Sequence, residues 1–194
     1  MPSPDLRARL EALVDAIAGG PDRLSAFRAM PFAIFVYAPS EEFDLREELQ
    51  KIGTRLKDQK LDPRVISLAK LAYKSVERAQ AEDGGWETIY AGERKKKTCK
   101  AAVQTVQRAL TEDAPLSDLV IEELADADPL RTIAFLSRIG ALYPAYRSHA
   151  LLAALAGRLK VPAILLYPGR KTADGGLEYL EELPADTSTY ARIF

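Results

Sequence analysis

The sequence predicts an α/β protein with a three-layer Rossmann-like or P-loop-like fold, in which a mainly parallel sheet of about four or five strands carries helices on both faces. Two apolar runs, "FAIFVYAP" (Phe32 to Pro39) and "VPAILLYPG" (Val161 to Gly169), have the composition of strands buried on both faces. The strand "RTIAFLS", the helix "YPAYRSHALLAALAGRLK" and the second apolar run follow one another as in a βαβ crossover, which joins parallel strands.

The N-terminal half adds two helices and a strand. Leu6 to Ala18 carries apolar residues at helical spacing behind Asp5, the predicted N-cap. The segment after Pro39 has the same period, with Ser40 as its predicted cap, and its apolar stripe is expected to face the core. That stripe consists of Phe43, Leu45, Leu49, Ile52 and Leu56. Arg64 to Leu68 predicts a short strand that runs into a helix.

The middle of the chain predicts two further helices, and its end predicts one more strand. Ala81 to Glu93 contains two adjacent glycines and is expected to be a loop, whereas "RKKKTCKAAVQTVQRAL" and "APLSDLVIEELADAD" have helical character, the latter opening near Pro115. In the crossover helix, Pro144 suits the first turn and Gly157 suits the end. "GGLEYLEEL" predicts an edge strand after the turn Asp174-Gly175-Gly176.

Composition restricts the class of protein. A length of 194 residues suits one α/β domain over 1–194, and a net charge of -1 excludes a global field that would draw the protein to nucleic acid or anionic lipid. A single cysteine cannot form an internal disulfide and favours a reducing compartment. Neither a signal peptide nor a long apolar run is evident, so we expect a cytoplasmic protein without membrane contact.

Signature motifs of nucleotide-binding and hydrolytic enzymes are absent from the sequence. It contains no GxxxxGK[ST] (the Walker A motif), no GxGxxG after a strand, no GxSxG and no HExxH. One histidine and one cysteine make a zinc site improbable by composition. The sequence therefore favours a protein with no catalytic residues, no cofactor and no metal.

The best candidate for a site is the edge where the parallel strands end, because ligands of such sheets bind beyond the carboxyl ends. Three loops are expected there: Ala38 to Glu42, Arg138 to Tyr143 and Tyr167 to Lys171. The predicted ligand or docking corner consists of Arg138, Gly140, Tyr143, Arg147, Ser148 and His149. Arginines near a helix start suit an anion, although the same polar residues would also serve to hold the corner together.

A basic run forms a second candidate, a contact patch for nucleic acid or an acidic partner. It consists of Arg94, Lys95, Lys96, Lys97 and Lys100. A solvated helix face is the alternative. No aromatic residue interleaves closely with the run, so a stacking platform for single strands is not predicted.

The C-terminal third resembles the BrxB family of bacteriophage exclusion (BREX) defence systems. The resemblance rests on "FLSRIGALYPAYRSHALLAAL", "VPAILLYPG" and the closing "YARIF". The matching residues are Phe135, Leu136, Gly140, Tyr143, Pro144, Arg147, Ser148, His149, Leu151, Leu152, Pro168 and Gly169. "FAIFVYAP" is similar to the first strand of the family, with Ala38 at a position that is often acidic there.

This resemblance implies a role in phage defence beside an alkaline-phosphatase-like protein, a DNA methyltransferase and a large ATPase. It suggests a non-catalytic assembly or regulatory subunit that holds the phosphatase-like subunit, with DNA contact inside the complex. Two alternatives stay open. One is a nucleotide- or phosphate-binding sensor or enzyme that uses the Arg147-Ser148-His149 corner. The other is a nucleic-acid binder that works through Arg94 to Lys100.

Overall fold

The protein is built on a parallel β-sheet, seen in a computed structural model that describes residues 2–20, 32–81, 85–95, 99–173, 176–179, 183–186 and 191–194. Residues 85, 88, 95 and 183–186 are described by their backbone alone. The strands are β1 (Phe32–Tyr37), β2 (Asp62–Ser67), β3 (Thr132–Ser137), β4 (Ala163–Lys171), β5 (Leu177–Tyr179), β6 (Leu183–Asp186) and β7 (Arg192–Ile193). The order β2-β3-β4-β1-β7 is parallel throughout, which confirms the predicted sheet and the βαβ crossover from β3 to β4.

Strand β4 is longer than its parallel neighbours. Its last residues pair antiparallel with β5, with Gly169 opposite Tyr179 and Lys171 opposite Leu177, and β5 pairs in turn with β6. The prediction of a loop from Tyr167 to Lys171 is therefore wrong, because β5 supplies hydrogen-bonding partners for this extension. A strand is confirmed over β5, but its predicted edge position is wrong, because β5 pairs with β4 on one side and with β6 on the other. Asp174 and Gly175 of the predicted turn lie outside the described residues.

Helices cover both faces of the sheet, which confirms the three-layer prediction. They are α1 (Pro4–Ala18), α2 (Glu42–Asp58), α3 (Leu68–Ala79), α4 (Gly85–Lys95), α5 (Lys100–Arg108), α6 (Leu116–Glu123) and α7 (Ser148–Leu155). One apolar core packs α1 and α2 against β1, β3 and β4. A second core packs α3, α6 and α7 against the opposite face. Helix α4 packs outside that layer, where Ile89 contacts Val76 and Ala109.

The first two helices begin differently from the sequence prediction. Ser3, rather than Asp5, caps α1, because its hydroxyl accepts a hydrogen bond from the Leu6 amide at 3.1 Å. A short 3-10 turn over Pro39–Glu41 precedes α2, so Ser40 is not its cap. Phe43 was expected to face the core, but 76% of it is exposed.

The predicted loop from Ala81 to Glu93 is wrong over most of its length, because α4 occupies Gly85–Lys95. Trp86 and Ile89 give this helix an apolar face against α3 and α5, and tertiary packing of this kind outweighs two glycines. The predicted helix "RKKKTCKAAVQTVQRAL" is consequently divided, since Arg94 and Lys95 end α4 whereas Lys100 begins α5.

The crossover helix is shorter than predicted. Ile139–Leu142 forms a separate 3-10 turn, the Tyr143-Pro144 peptide bond is cis, and α7 begins only at Ser148. Pro144 therefore lies outside the helix rather than in its first turn. Arg147 is the N-cap residue, and His149 is the second residue of the helix.

A buried serine holds the wide turn that follows α5. The Ser75 hydroxyl contacts the carbonyls of Ala109 (3.1 Å) and Ala114 (2.7 Å), at the two ends of the π-helical segment Ala109–Asp113. We expect Ser75→Ala to lower the free energy of unfolding by about 1–2 kcal/mol, because the partly buried Ala114 carbonyl loses its hydrogen bond. Chemical denaturation measures this, with Thr54→Ala as the control, since the exposed Thr54 hydroxyl bonds only to its own helix. Equal effects of the two substitutions would contradict this role of Ser75.

Candidate functional site

Three tyrosines fill the corner beside the end of β4. The ring of Tyr179 lies 5.5 Å from that of Tyr167, edge to face, and 5.8 Å from that of Tyr143. Its hydroxyl donates a hydrogen bond to the Ile139 carbonyl at 3.2 Å. Burial raises the pKa of Tyr179 to about 12, so this hydroxyl keeps its proton at neutral pH. The tyrosines thereby fix the 3-10 turn against β4 and β5.

A glycine near the end of β4 permits this packing. Any side chain at Gly169 would begin 2.1 Å from the Glu178 carbonyl oxygen and 2.9 Å from the Tyr167 ring, so only glycine allows β4 and β5 to approach. A side chain at Gly140 would make an ordinary van der Waals contact with the Tyr179 hydroxyl, 3.5 Å away, so the packing does not require glycine there. Several residues that carry the family resemblance thus have a packing role in this corner.

A cleft of about 300 Å³ opens on the α2 side of the same sheet edge. Its walls are largely apolar, and polar groups lie where β1, β3 and α2 begin or end. The lining residues are Tyr37, Glu42, Leu45, Arg46, Leu49, Gln50, Val65, Ser137, Arg138 and Leu166. The predicted location of a site at the carboxyl ends of the strands agrees with this cleft, and two of the three predicted loops supply residues to it.

A chain of hydrogen bonds forms the polar side of the cleft. The buried Tyr37 hydroxyl donates to the Glu42 carboxylate, which also pairs with Arg46 at 2.7 Å. Burial, followed by the bond to Glu42, raises the pKa of Tyr37 far above its usual range. Glu42 lies in the first turn of α2, where the helix dipole favours a carboxylate. This chain therefore holds the start of α2 against the end of β1.

Arg138 is the cleft residue with an unusual backbone. Its φ of 62° and ψ of 35° place a non-glycine residue in the left-handed region, where a β-carbon is crowded. It is exposed, and its guanidinium has no hydrogen bond or ion pair with the described residues. Arg138 thus adds a positive charge, with no ion-pair partner among the described residues, to a cleft whose walls are largely apolar.

The remaining predicted corner residues do not join Arg138. Arg147, Ser148 and His149 are absent from the described lining of the cleft, because α7 packs on the opposite face of the sheet. Arg147 and His149 are exposed, and Ser148 is partly buried. Their predicted role in binding a ligand therefore stays a prediction.

The basic run is dispersed between two helices. Arg94 is exposed near the end of α4, and Lys100 is exposed at the start of α5. Lys95 ends α4, with its side chain not described, and Lys96 and Lys97 lie outside the described residues.

Sequence reasoning placed Glu42 in a loop at this edge of the sheet, but it did not name Tyr37, Glu42 or Arg46 as site residues. Glu42 and Arg46 are four residues apart on a predicted helix, a spacing that predicts an ion pair. The position of Tyr37 at the end of a buried strand was also visible in the sequence. Their convergence was not, because it depends on how the strand end turns into α2.

The part of the chain that the structure describes contains no metal-binding cluster and no helix that could span a membrane. No group of three or more histidine, cysteine, aspartate or glutamate side chains there is placed to hold a metal ion. No helix in that part combines the length and apolar character needed to span a bilayer.

The fold and the cleft together define an α/β protein with a largely apolar cleft, bordered by Arg46 and Arg138, at the carboxyl edge of a parallel sheet. Residues 64–194 match the family model described as BREX protein BrxB, and the chain belongs to this family. It is therefore a component of a BREX phage-defence system, whose other subunits are its partners. Comparisons with curated proteins and with solved structures gave no match. The similarity of "FAIFVYAP" to the first family strand lies outside the matched range.

Proposed function

We propose that this chain is a non-catalytic assembly or regulatory subunit that holds the alkaline-phosphatase-like subunit of its defence system. The observation that carries the proposal is the cleft, whose largely apolar walls adjoin Arg138, a residue without an ion-pair partner in the described part of the chain. The occupant that fits is a segment of the partner protein that presents an apolar side chain next to a carboxylate.

The apolar part of the cleft suits a protein side chain. Leu45, Leu49 and Leu166 form its buried wall, whereas Val65 on the edge strand β2 leaves 60% of its surface in water. Covering such a residue gains roughly 25 cal/mol per Å² of apolar surface buried. Pockets of this kind, which take one anchoring side chain, dominate the affinity of protein interfaces.

The charged part of the cleft supplies specificity. Glu42 already engages Arg46, so Arg138 is the cation left to receive a carboxylate. A guanidinium binds a carboxylate with two parallel hydrogen bonds, and this geometry also selects the orientation of the partner. Arg138 also has a left-handed backbone conformation. Backbone strain of this kind is found most often at functional sites, and this supports the proposal.

A capture experiment tests the proposal. Tagged protein is mixed with the alkaline-phosphatase-like subunit, and retention of that subunit is compared among variants. We expect Arg138→Glu to reduce capture at least tenfold, because a like charge then faces the partner's carboxylate. Lys57→Glu is the matched charge reversal, since Lys57 is exposed at the other end of α2. Equal capture by wild type and Arg138→Glu would reject the cleft as the docking site.

A pair of glycine substitutions separates binding from stability. Lys60 and Arg138 both have φ near 60°, so glycine relieves crowding at either position. We expect Lys60→Gly and Arg138→Gly each to preserve the free energy of unfolding or raise it by up to about 1 kcal/mol. Capture should fall only for Arg138→Gly. Thermal denaturation and the capture assay measure the two effects, and a loss of capture in both variants would contradict the assignment.

A further inference from the structure

A ladder of three aromatic rings lies on the other face of the molecule from the cleft. The Tyr73 ring of α3 stacks on Trp86 of α4 with 5.5 Å between centroids and 19° between planes. Trp86 stacks in turn on Tyr90, at 5.8 Å and 26°. We call these three residues the aromatic ladder.

The ladder is anchored at its centre and accessible at its ends. The Trp86 indole N–H donates to the Tyr73 carbonyl at 3.4 Å, and its ring packs against the Val76–Ile89 core. Tyr73 is 50% exposed and Tyr90 is 53% exposed. The ladder therefore presents large, rigid aromatic surface to water.

Charged residues of both signs border the ladder. The Glu77 carboxylate lies next to the Tyr73 hydroxyl and raises the pKa of Tyr73, and Tyr90 and Glu87 also lie near that hydroxyl. On α4, Trp86, Tyr90 and Arg94 follow at intervals of four residues and so share one side of the helix. Arg94 is exposed and has no hydrogen bond or ion pair within the described part of the chain.

We propose that the aromatic ladder and Arg94 bind single-stranded nucleic acid, with an unpaired base stacking on Tyr90 and the backbone phosphate meeting Arg94 and Lys100. Aromatic rings next to arginine and lysine are the general means by which proteins hold unpaired bases without sequence preference. Arg94 lies one helical turn after Tyr90, so the strand approaches the ladder from Tyr90. Aromatic and basic residues do not alternate closely in the linear sequence. They lie next to each other on α4 because residues four apart share one side of a helix.

Trp86 is the sole tryptophan of the chain, so its fluorescence reports directly on the ladder. The full-length protein is titrated with single-stranded oligothymidine of about 12 nucleotides. We expect saturable quenching and an affinity that falls severalfold between about 50 mM and about 200 mM salt, because bound phosphates release counterions. No quenching at low salt, or equal affinity for a duplex of the same length, overturns the proposal.

Variants at Tyr90 and Arg94 test the contact itself. Tyr90→Ala removes the stacking ring and should weaken binding about tenfold, whereas Tyr90→Phe keeps the ring and should retain affinity. Arg94→Glu should weaken binding and flatten the salt dependence. Tyr143→Ala, at the distant tyrosine corner, is the control and should leave the affinity unchanged. Unchanged binding by Tyr90→Ala, which removes a ring that is 53% exposed, overturns the proposal.

Discussion

Replacing Phe35 with alanine is expected to lower the free energy of unfolding by about 3–5 kcal/mol. Phe35 lies in the middle of β1, fully buried between α1, α2 and the sheet. The truncation removes apolar contacts and leaves a cavity that surrounding strands fill only in part. Chemical denaturation followed by circular dichroism measures the loss.

Phe43→Ala is the matched control for this experiment. Each of the two rings has an arginine 5.6 Å from its centroid, Arg9 at Phe35 and Arg46 at Phe43, so the pairs differ mainly in burial. Phe43 is 76% exposed, and its truncation is expected to change stability by less than about 1 kcal/mol. A comparable loss in both variants would show that Phe43 faces the core, as its sequence position had suggested.

Replacing Gly169 with alanine is expected to lower the free energy of unfolding by about 3 kcal/mol. The new methyl group would begin 2.1 Å from the Glu178 backbone oxygen, so β5 must move away from β4. Since Tyr179 belongs to β5, this movement also withdraws its ring from Tyr143 and Tyr167. Denaturation measures the stability, and tyrosine near-ultraviolet circular dichroism should change with it.

Gly92→Ala is the control for Gly169→Ala, because a side chain at Gly92 meets no neighbouring atoms. Gly92 lies within α4, and nothing is found within 4 Å of a side chain built there. Alanine favours a helix over glycine, so this variant is expected to gain up to about 1 kcal/mol. A similar response of the two variants would mean that the close approach of β4 and β5 is not what requires glycine at 169.

Much of the fold was predictable because its strongest signals are local. The apolar runs at β1 and β4 admit few structures other than buried strands, and the short segment between β3 and β4 admits only a crossover. The prediction that Phe43 faces the core was wrong, although Leu45, two positions later, does face it. Two positions turn about 200° around a helix, and that places Phe43 on the far side from the inward stripe.

Helix α4 and the cleft could not be predicted from the sequence, because both depend on tertiary contacts. The glycines before Trp86 favour a loop locally, and only the packing of Trp86 and Ile89 against α3 and α5 makes a helix favourable. Arg138 was predicted at the correct edge of the sheet. The sequence does not reveal that α7 places Arg147 on the opposite face of the sheet. Arg138 and Arg147 were therefore predicted to form one site because they are close in sequence, but the structure separates them.

The position of β1 in the sheet has a consequence for protein production. The family match begins at Arg64, whereas β1 lies between β4 and β7, pairing with β4 from Phe32 opposite Ala163 to Tyr37 opposite Pro168. A fragment cut at the boundary of similarity would leave this apolar edge of β4 open, and open edges of this kind recruit other chains into aggregates. The range that matches the family is thus shorter than the unit that folds. A shortened protein made for expression should therefore retain the N-terminal third of the chain.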